Sequence, residues 1–307
     1  MEFGRLPDVR GVDFTLPVDP ARNRPLLEGA RAASPLGDGD LRLGLPSWSD
    51  PGLAGRLGGK SPAGVLRAHS AAVPSNELNS TFYGYTVERF TRWAAAVPEG
   101  FLFCPKLPRA ITHDGMLEAV EEEMGAFVRA TESLGAHRGL TWFALPPFFG
   151  AERLGTLAAF LDEWAGELPL ALEVRDPSWF RDPGATEALF GLLEALSVTA
   201  IITDTAGRRD CAHMALSTPK TLIRFVGNGL HPSDFERLDR WAERLLGWVN
   251  NGLQQAFVFF HQQDEAQTVD LAGAAVELRI ALEVAIEARC RRFEATGPTT
   301  GAGPLGA

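Results

Sequence analysis

The sequence predicts an α/β protein of the TIM (β/α)8-barrel type, folded as a single domain, and three observations carry that prediction. Eight short apolar runs recur between residues 41 and 260, each suited in length and composition to a parallel strand buried on both faces. Stretches of helical period separate all but one neighbouring pair of these runs. Polar and charged side chains collect just past the runs, at the strand ends where barrels place their chemistry. A doubly wound open sheet is the alternative, since periodicity does not show closure.

Taken in order, residues 1–40 mix Pro, Gly and charge without a sustained period and form an amino-terminal extension, with Ala33 to Asp40 a turn-rich lead into the first strand. Strands are predicted at Leu41–Leu45, Ser75–Asn79, Phe101–Pro105, Gly139–Leu145, Leu170–Val174, Thr199–Thr203, Thr221–Val226 and Ala256–Phe260. Helices are predicted at Pro62–Ser70, Val87–Ala96, Met116–Ser133, Glu152–Trp164, Thr186–Leu196, Ser233–Asn250 and Gln267–Ala288. The poor crossover is Ala206–Lys220, which predicts a loop with at most a short helix. The barrel domain covers 41–290, and residues 291–307, dominated by Gly, Pro and Thr with small residues at the end, predict a disordered tail.

Composition narrows the function. Of 307 residues, 45% are apolar and 22% charged, which suits a globular core and excludes collagen-like or wholly disordered classes. A net charge of −10 repels polyanions on average, so a nucleic-acid partner is not expected. The three cysteines, Cys104, Cys211 and Cys290, lack CxxC spacing, so neither a disulfide framework nor a structural zinc site is indicated. Charges within Met1–Arg10 argue against a signal peptide, and no run reaches the ~18 apolar residues of a membrane span. The expectation is a cytoplasmic protein without a membrane partner, of undetermined oligomeric state.

The strand ends supply the candidate site. Trp48 follows the first, Glu77, Asn79 and Thr81 close the second, and Lys106 with His113 follows the third. The fourth ends in Pro146 and Pro147, and the fifth supplies Glu173 and Arg175, with Trp179 beyond. Asp204 follows the sixth, Arg224 and Asn228 lie on or after the seventh, and His261 and Gln262 follow the eighth. Strand alternation turns Glu77, Asn79 and Thr81 to one side, and sets Glu173 opposite Val174 with Arg175 on its own side or just past the strand. A buried charge costs several kcal/mol unless paired, so a Glu and an Arg facing inward imply a polar network, a ligand, or a pair that merely plugs the barrel end. Lysine is rare, with Lys60, Lys106 and Lys220 the whole count among 29 basic residues. Lys106 can bind an anion, form a Schiff base if its pKa is depressed, or snorkel along the rim. His113 reads as a base or ligand, or as a loop or helix-cap residue.

Other motifs fail. Ala54-Gly55-Arg56-Leu57-Gly58-Gly59-Lys60-Ser61 nearly spells a P-loop, but Ala54 stands at the first glycine and no strand precedes it closely, so it reads as a flexible loop. No GxGxxG opens a helix after a strand, and neither HExxH nor GxSxG occurs. Glu77 and Glu173 can form a glycosidase-type carboxylate pair. Glu173, Asp204, His113 and His261 can surround a divalent cation, although no ligand spacing demonstrates one, and no cofactor is predicted. Tyr83, Trp48, Trp179, Phe148 and Phe149 can wall a pocket, while Trp241 and Trp248 read as core.

The runs Glu77 to Tyr83, Phe103 to Pro108 with Ile111-Thr112-His113, Leu145 to Phe149 and Glu173 to Trp179 together resemble one family, the YecE-like proteins, domain of unknown function 72. The opening Met1-Glu2-Phe3-Gly4 and the late Phe259-Phe260-His261-Gln262 are similar to a branch with an amino-terminal extension. The resemblance spans Leu41 to Leu282 and implies a TIM barrel without an established activity. Gly227-Asn228 stands where His-Gly is usual in that family, and His261-Gln262 where Asn-Asn is usual. Three functional readings follow. The first is a hydrolase or lyase acting on a small anionic or hydroxylated ligand, with Glu77 or Glu173 as base, His113 or His261 as proton donor, Lys106 and Arg224 as anion clamps, and Asn79 as orienter. The second, by fold-level analogy, is a metal-assisted phosphodiesterase with Glu173, Asp204 and His261 as ligands. The third is a non-catalytic binding or assembly module.

Overall fold

The computed structural model describes residues 4–33, 40–58, 61–262, 264, 267–270 and 273. Eight strands form one parallel sheet: β1 Asp40–Leu45, β2 Ser75–Leu78, β3 Leu102–Pro105, β4 Thr141–Ala144, β5 Leu170–Glu173, β6 Thr199–Asp204, β7 Lys220–Val226 and β8 Gln255–His261. Their order is β3-β2-β1-β8-β7-β6-β5-β4. The two outer strands approach each other through the bridges Phe103–Arg138 and Lys106–Trp142, and Leu107 N–H donates to Trp142 O at 2.9 Å. The sheet is therefore a nearly closed barrel, and Lys106 sits at its seam.

Around it lie α1 Asn23–Ala33, α2 Pro51–Leu57, α3 Pro62–Ala72, α4 Val87–Ala94, α5 Glu121–Thr131, α6 Leu154–Trp164, α7 Ser178–Arg181, α8 Pro183–Ala195 and α9 Pro232–Asn251. Helix starts follow local chemistry. Asp50, Ser61, Thr86 and Asp182 each accept a backbone N–H of the following first turn, and Pro opens α2, α3 and α8, where its missing N–H costs nothing. Among the described residues no helix is long and apolar enough to cross a membrane.

Every predicted strand is present, with ends shifted by one or two residues, and the structure corrects four other expectations. The near P-loop is not all loop: Asp50 and Pro51 start α2, which runs through Leu57. Between Met116 and Ser133 the helix begins only at Glu121, because Met116, Leu117 and Ala119 take left-handed φ values of 53°, 68° and 51° that a right-handed helix excludes. Asn79 opens a 3-10 turn to Phe82, so Thr81 leaves the strand alternation. The extension holds a helix after all: α1 seats Leu27 in the core beside Trp248, and the buried Asn23 bonds Met214 O and Leu216 N. The predicted helix at Gln267–Ala288 and the tail at 291–307 lie almost wholly outside the described residues.

The barrel interior is filled by Cys104, Trp142, Ala144, Ala171, Ile201, Leu222, Phe257 and Phe259. Gly44 on β1 makes room for this layer, since a Cβ there would lie 2.5 Å from the Phe259 ring. Above Trp142, toward the carboxyl ends of the strands, the filling turns from apolar to ionic.

Candidate functional site

Arg224 of β7 is the centre of the ionic layer. Its Nη1 donates to Glu173 Oε2 at 2.8 Å and its Nη2 to Glu77 Oε1 at 3.1 Å, so one guanidinium joins carboxylates from β2 and β5 across the barrel. Arg175 closes on Glu173 from the other side, at 2.9 and 3.1 Å. Glu77 also meets His261 Nε2 at 2.8 Å and accepts from Asn79 Nδ2 at 3.0 Å. Burial alone would raise both carboxyl pKa values, but the guanidiniums reverse that. Arg224 with His261 holds Glu77 well below the usual carboxylate range, and Arg175 with Arg224 holds Glu173 down to about 2. Two ionised glutamates thus face two guanidiniums, and neither carboxylate has a free lone pair facing solvent. Burial lowers the pKa of His261, which keeps the ring neutral and able to take a proton.

A cavity of about 520 Å³ opens above this layer. Lys106, Arg224, His261 and Gln262 form its depth, and Trp48, Asn79 and Tyr83 stand on its walls. Lys106 is 4% exposed, and its Nζ lies 4.2 Å from the centroid of Phe82 and 4.7 Å from that of Trp142. Among the described residues no carboxylate lies within ion-pair distance of that amine. The aromatic faces favour the ammonium by about 0.5–2 kcal/mol. Burial, followed by repulsion from Arg224 and Arg175, acts the other way and pushes the lysine down to about 7. The backbone holds the residue in place: Lys106 N–H donates to Leu78 O at 3.2 Å, and Thr81 Oγ donates to Lys106 O at 2.6 Å.

The remaining candidates lie elsewhere. Glu77, Glu173 and Arg175 sit beneath the cavity floor rather than on its wall, and Thr81 is spent on backbone carbonyls. His113 packs its ring against Phe82 at 5.0 Å from behind, outside the cavity wall, and burial lowers its pKa to about 4. Trp179 is fully buried, its indole N–H donating to Phe149 O at 2.8 Å. Asn228 bonds Asp234 at the start of α9. Asp204 is diverted outward, accepting from Arg237 Nε at 3.1 Å and Trp241 Nε1 at 2.8 Å, with Arg209 on its other oxygen. Glu173 and Asp204 therefore belong to separate arginine networks. Among the described residues no group of three His, Cys, Asp or Glu side chains is placed to hold a metal ion.

Sequence reasoning missed three contributors. Arg5 lines the cavity from the extension, its Nη2 donating to Gln262 O at 2.6 Å, while Gly4 O accepts from Thr205 and Gly207. Nothing local marks Arg5, whose partner Gln262 lies 257 residues away. Phe82, at the end of the turn after β2, and Trp142, within β4, are the aromatic faces that meet Lys106.

A family profile described as "Protein of unknown function DUF72" matches residues 42–292. The chain is 29% identical over 250 residues to the UPF0759 protein YecE of Escherichia coli K12, covering 75% of this chain and 89% of that protein. It is 25% identical over 280 residues to the UPF0759 protein YunF of Bacillus subtilis, covering 78% and 94%. The fold is similar to crystal structures of DUF72 family proteins from Enterococcus faecalis, with a TM-score of 0.63 and 22% identity over 79% of this chain and 95% of that one. The corresponding values for Thermotoga maritima are 0.60 and 22% over 80% and 99%. At that identity the structural likeness concerns the fold alone.

Proposed function

The chain belongs to the DUF72 family, and from that premise we propose that it is a cytoplasmic enzyme of the hydrolase or lyase type, acting on a small anionic or hydroxylated ligand at the carboxyl end of the barrel. One observation carries the reading: a lysine that has no carboxylate partner among the described residues and a neutral histidine line one cavity, while the carboxylates below are consumed by arginines. Perturbed titratable groups converging on one cavity are the usual mark of a reactive site. The geometry shifts the roles. Glu77 and Glu173 hold Arg224 and His261 in position, and His261 takes the part of general base. Lys106 and Arg224 attract the anion, and Asn79 and Gln262 orient hydroxyl groups.

The test is unbiased. Purified protein is incubated with a metabolite extract, and mass spectrometry identifies what is retained or consumed, with Lys106→Ala beside it. The expected compound carries a carboxylate or phosphate, is converted over time, and escapes the variant. Retention without conversion would favour the non-catalytic module, and retention indifferent to Lys106→Ala would overturn the site. The metal-assisted phosphodiesterase reading loses support from the diversion of Asp204 into the Arg209–Arg237 network.

A further inference from the structure

Resting on that reading of the mouth, we propose that Lys106 is a Schiff-base nucleophile and that the substrate is a small aldehyde or ketone bearing an anionic group. Three observations point there. The amine ends in the cavity between the faces of Phe82 and Trp142, with no protein acceptor or carboxylate to engage it among the described residues. Its backbone is pinned at the barrel seam, and its side chain is buried, at 4% exposure, against the two rings. The chain carries only three lysines among 29 basic residues, so the position that needs a nucleophilic nitrogen holds the one basic side chain that can supply it. Arg224 and the burial around it disfavour the ammonium form, pushing the lysine to about 7. For the anion, Arg5 and Arg89 line the same cavity, and neither has a carboxylate partner among the described residues.

In the proposed step the Nζ lone pair attacks the carbonyl carbon and the C=O π pair moves to oxygen. A proton passes from nitrogen to that oxygen, giving a carbinolamine. A proton taken from solvent lets the hydroxyl depart as water and leaves the carbon–nitrogen iminium. The iminium draws electrons from the adjacent carbon: either a C–H bond there breaks and its proton passes to the His261 imidazole, or a C–C bond to a hydroxyl-bearing carbon breaks, that hydroxyl giving its proton to His261 as the departing fragment leaves as an aldehyde or ketone, and in both cases the bonding pair forms the enamine.

The experiment treats the full-length protein at neutral pH with glyoxylate and sodium cyanoborohydride, whose hydride converts an iminium into a stable secondary amine, and maps the adduct by peptide mass spectrometry. Acetaldehyde serves as the uncharged comparator. Glycolate, which keeps the carboxylate but lacks the carbonyl, serves as competitor and is also followed by quenching of tryptophan fluorescence, since Trp48 and Trp93 line the cavity. The expected result is Lys106 labelled at least about tenfold faster than Lys220, as a lysine with a depressed pKa requires, faster with glyoxylate than with acetaldehyde, and slowed by glycolate. Labelling of Lys106 no faster than of Lys220, with saturable glycolate quenching, would overturn the Schiff base and leave the anion-binding mouth standing. Absence of both quenching and preferential labelling would remove both. Equal labelling by acetaldehyde, or label untouched by glycolate, would overturn the anionic substrate class. Lys106→Met should lose the label, and if that variant does not fold, the wild-type map decides the matter alone.

Discussion

Replacing Arg224 by methionine isolates the interaction that holds the mouth together. The guanidinium is 2% exposed and bonds both Glu77 and Glu173, so its removal leaves two ionised carboxylates with altered surroundings. Glu173 keeps its two bonds from Arg175, whereas Glu77 keeps only Asn79 and a neutral His261. The cost therefore falls mainly on one carboxylate, about 3–5 kcal/mol for a broken buried pair rather than twice that. For a barrel of this size the melting temperature falls by about 6–20 °C. Proton linkage supplies a second readout. In the parent protein Glu77 titrates below its unfolded value, so its contribution is present above the usual carboxylate range and is lost as pH falls through the folded value. In the variant, burial without Arg224 makes the Glu77–His261 pair hold one proton more when folded. The stability gap between the two proteins then widens as pH rises from 5 to 8, by at most about 1.4 kcal/mol per unit. Urea denaturation at several pH values measures it, and Glu77→Gln in the variant background should recover at least about 1 kcal/mol at pH 7. A gap under 1 kcal/mol at pH 7, or one that stays flat with pH, would refute the reasoning.

Asp204→Asn should lose about 1.5–3 kcal/mol in denaturant titrations, because Arg237 keeps Asp234 at 3.3 Å but loses its charged bond to Asp204, yet it should not change which small molecules the protein retains. His261→Gln preserves a hydrogen bond toward Glu77 but removes the titrating ring. Turnover of whatever compound the extract experiment identifies should fall about 10²-fold or more while that compound is still retained. Gly44→Ala forces a methyl to within 2.5 Å of the Phe259 ring, and calorimetry should show a loss of about 1–3 kcal/mol, with retention at the mouth reduced less than by Lys106→Ala.

Much of the architecture is written in short-range pattern. Buried parallel strands need continuous apolar runs, and the eight runs and their crossovers are visible without coordinates. Glu77 with Asn79 and Glu173 with Arg175 are bonded in the structure, but Asn79 and Arg175 lie just past the ends of β2 and β5, so these contacts come from the turns after the strands and not from alternation. The departures have local causes that pattern does not register: Met116, Leu117 and Ala119 in left-handed backbone, and an amphipathic helix hidden in the extension.

By itself, then, the sequence determined eight buried parallel strands with polar ends and pointed to Glu77, Lys106, Glu173, Arg224 and His261 among them, because secondary structure follows from periods of two and 3.6 residues, while closure of the sheet into a barrel does not. Only the tertiary structure decided which charge meets which. Glu77 and Arg224 are 147 residues apart and are joined by barrel closure, Asp204 turns away to Arg237, and Arg5 arrives from the far end of the chain. Those pairings determine which carboxylates remain ionised and which amine stands without a partner, and they depend on strand register and burial, which no local stretch of residues contains.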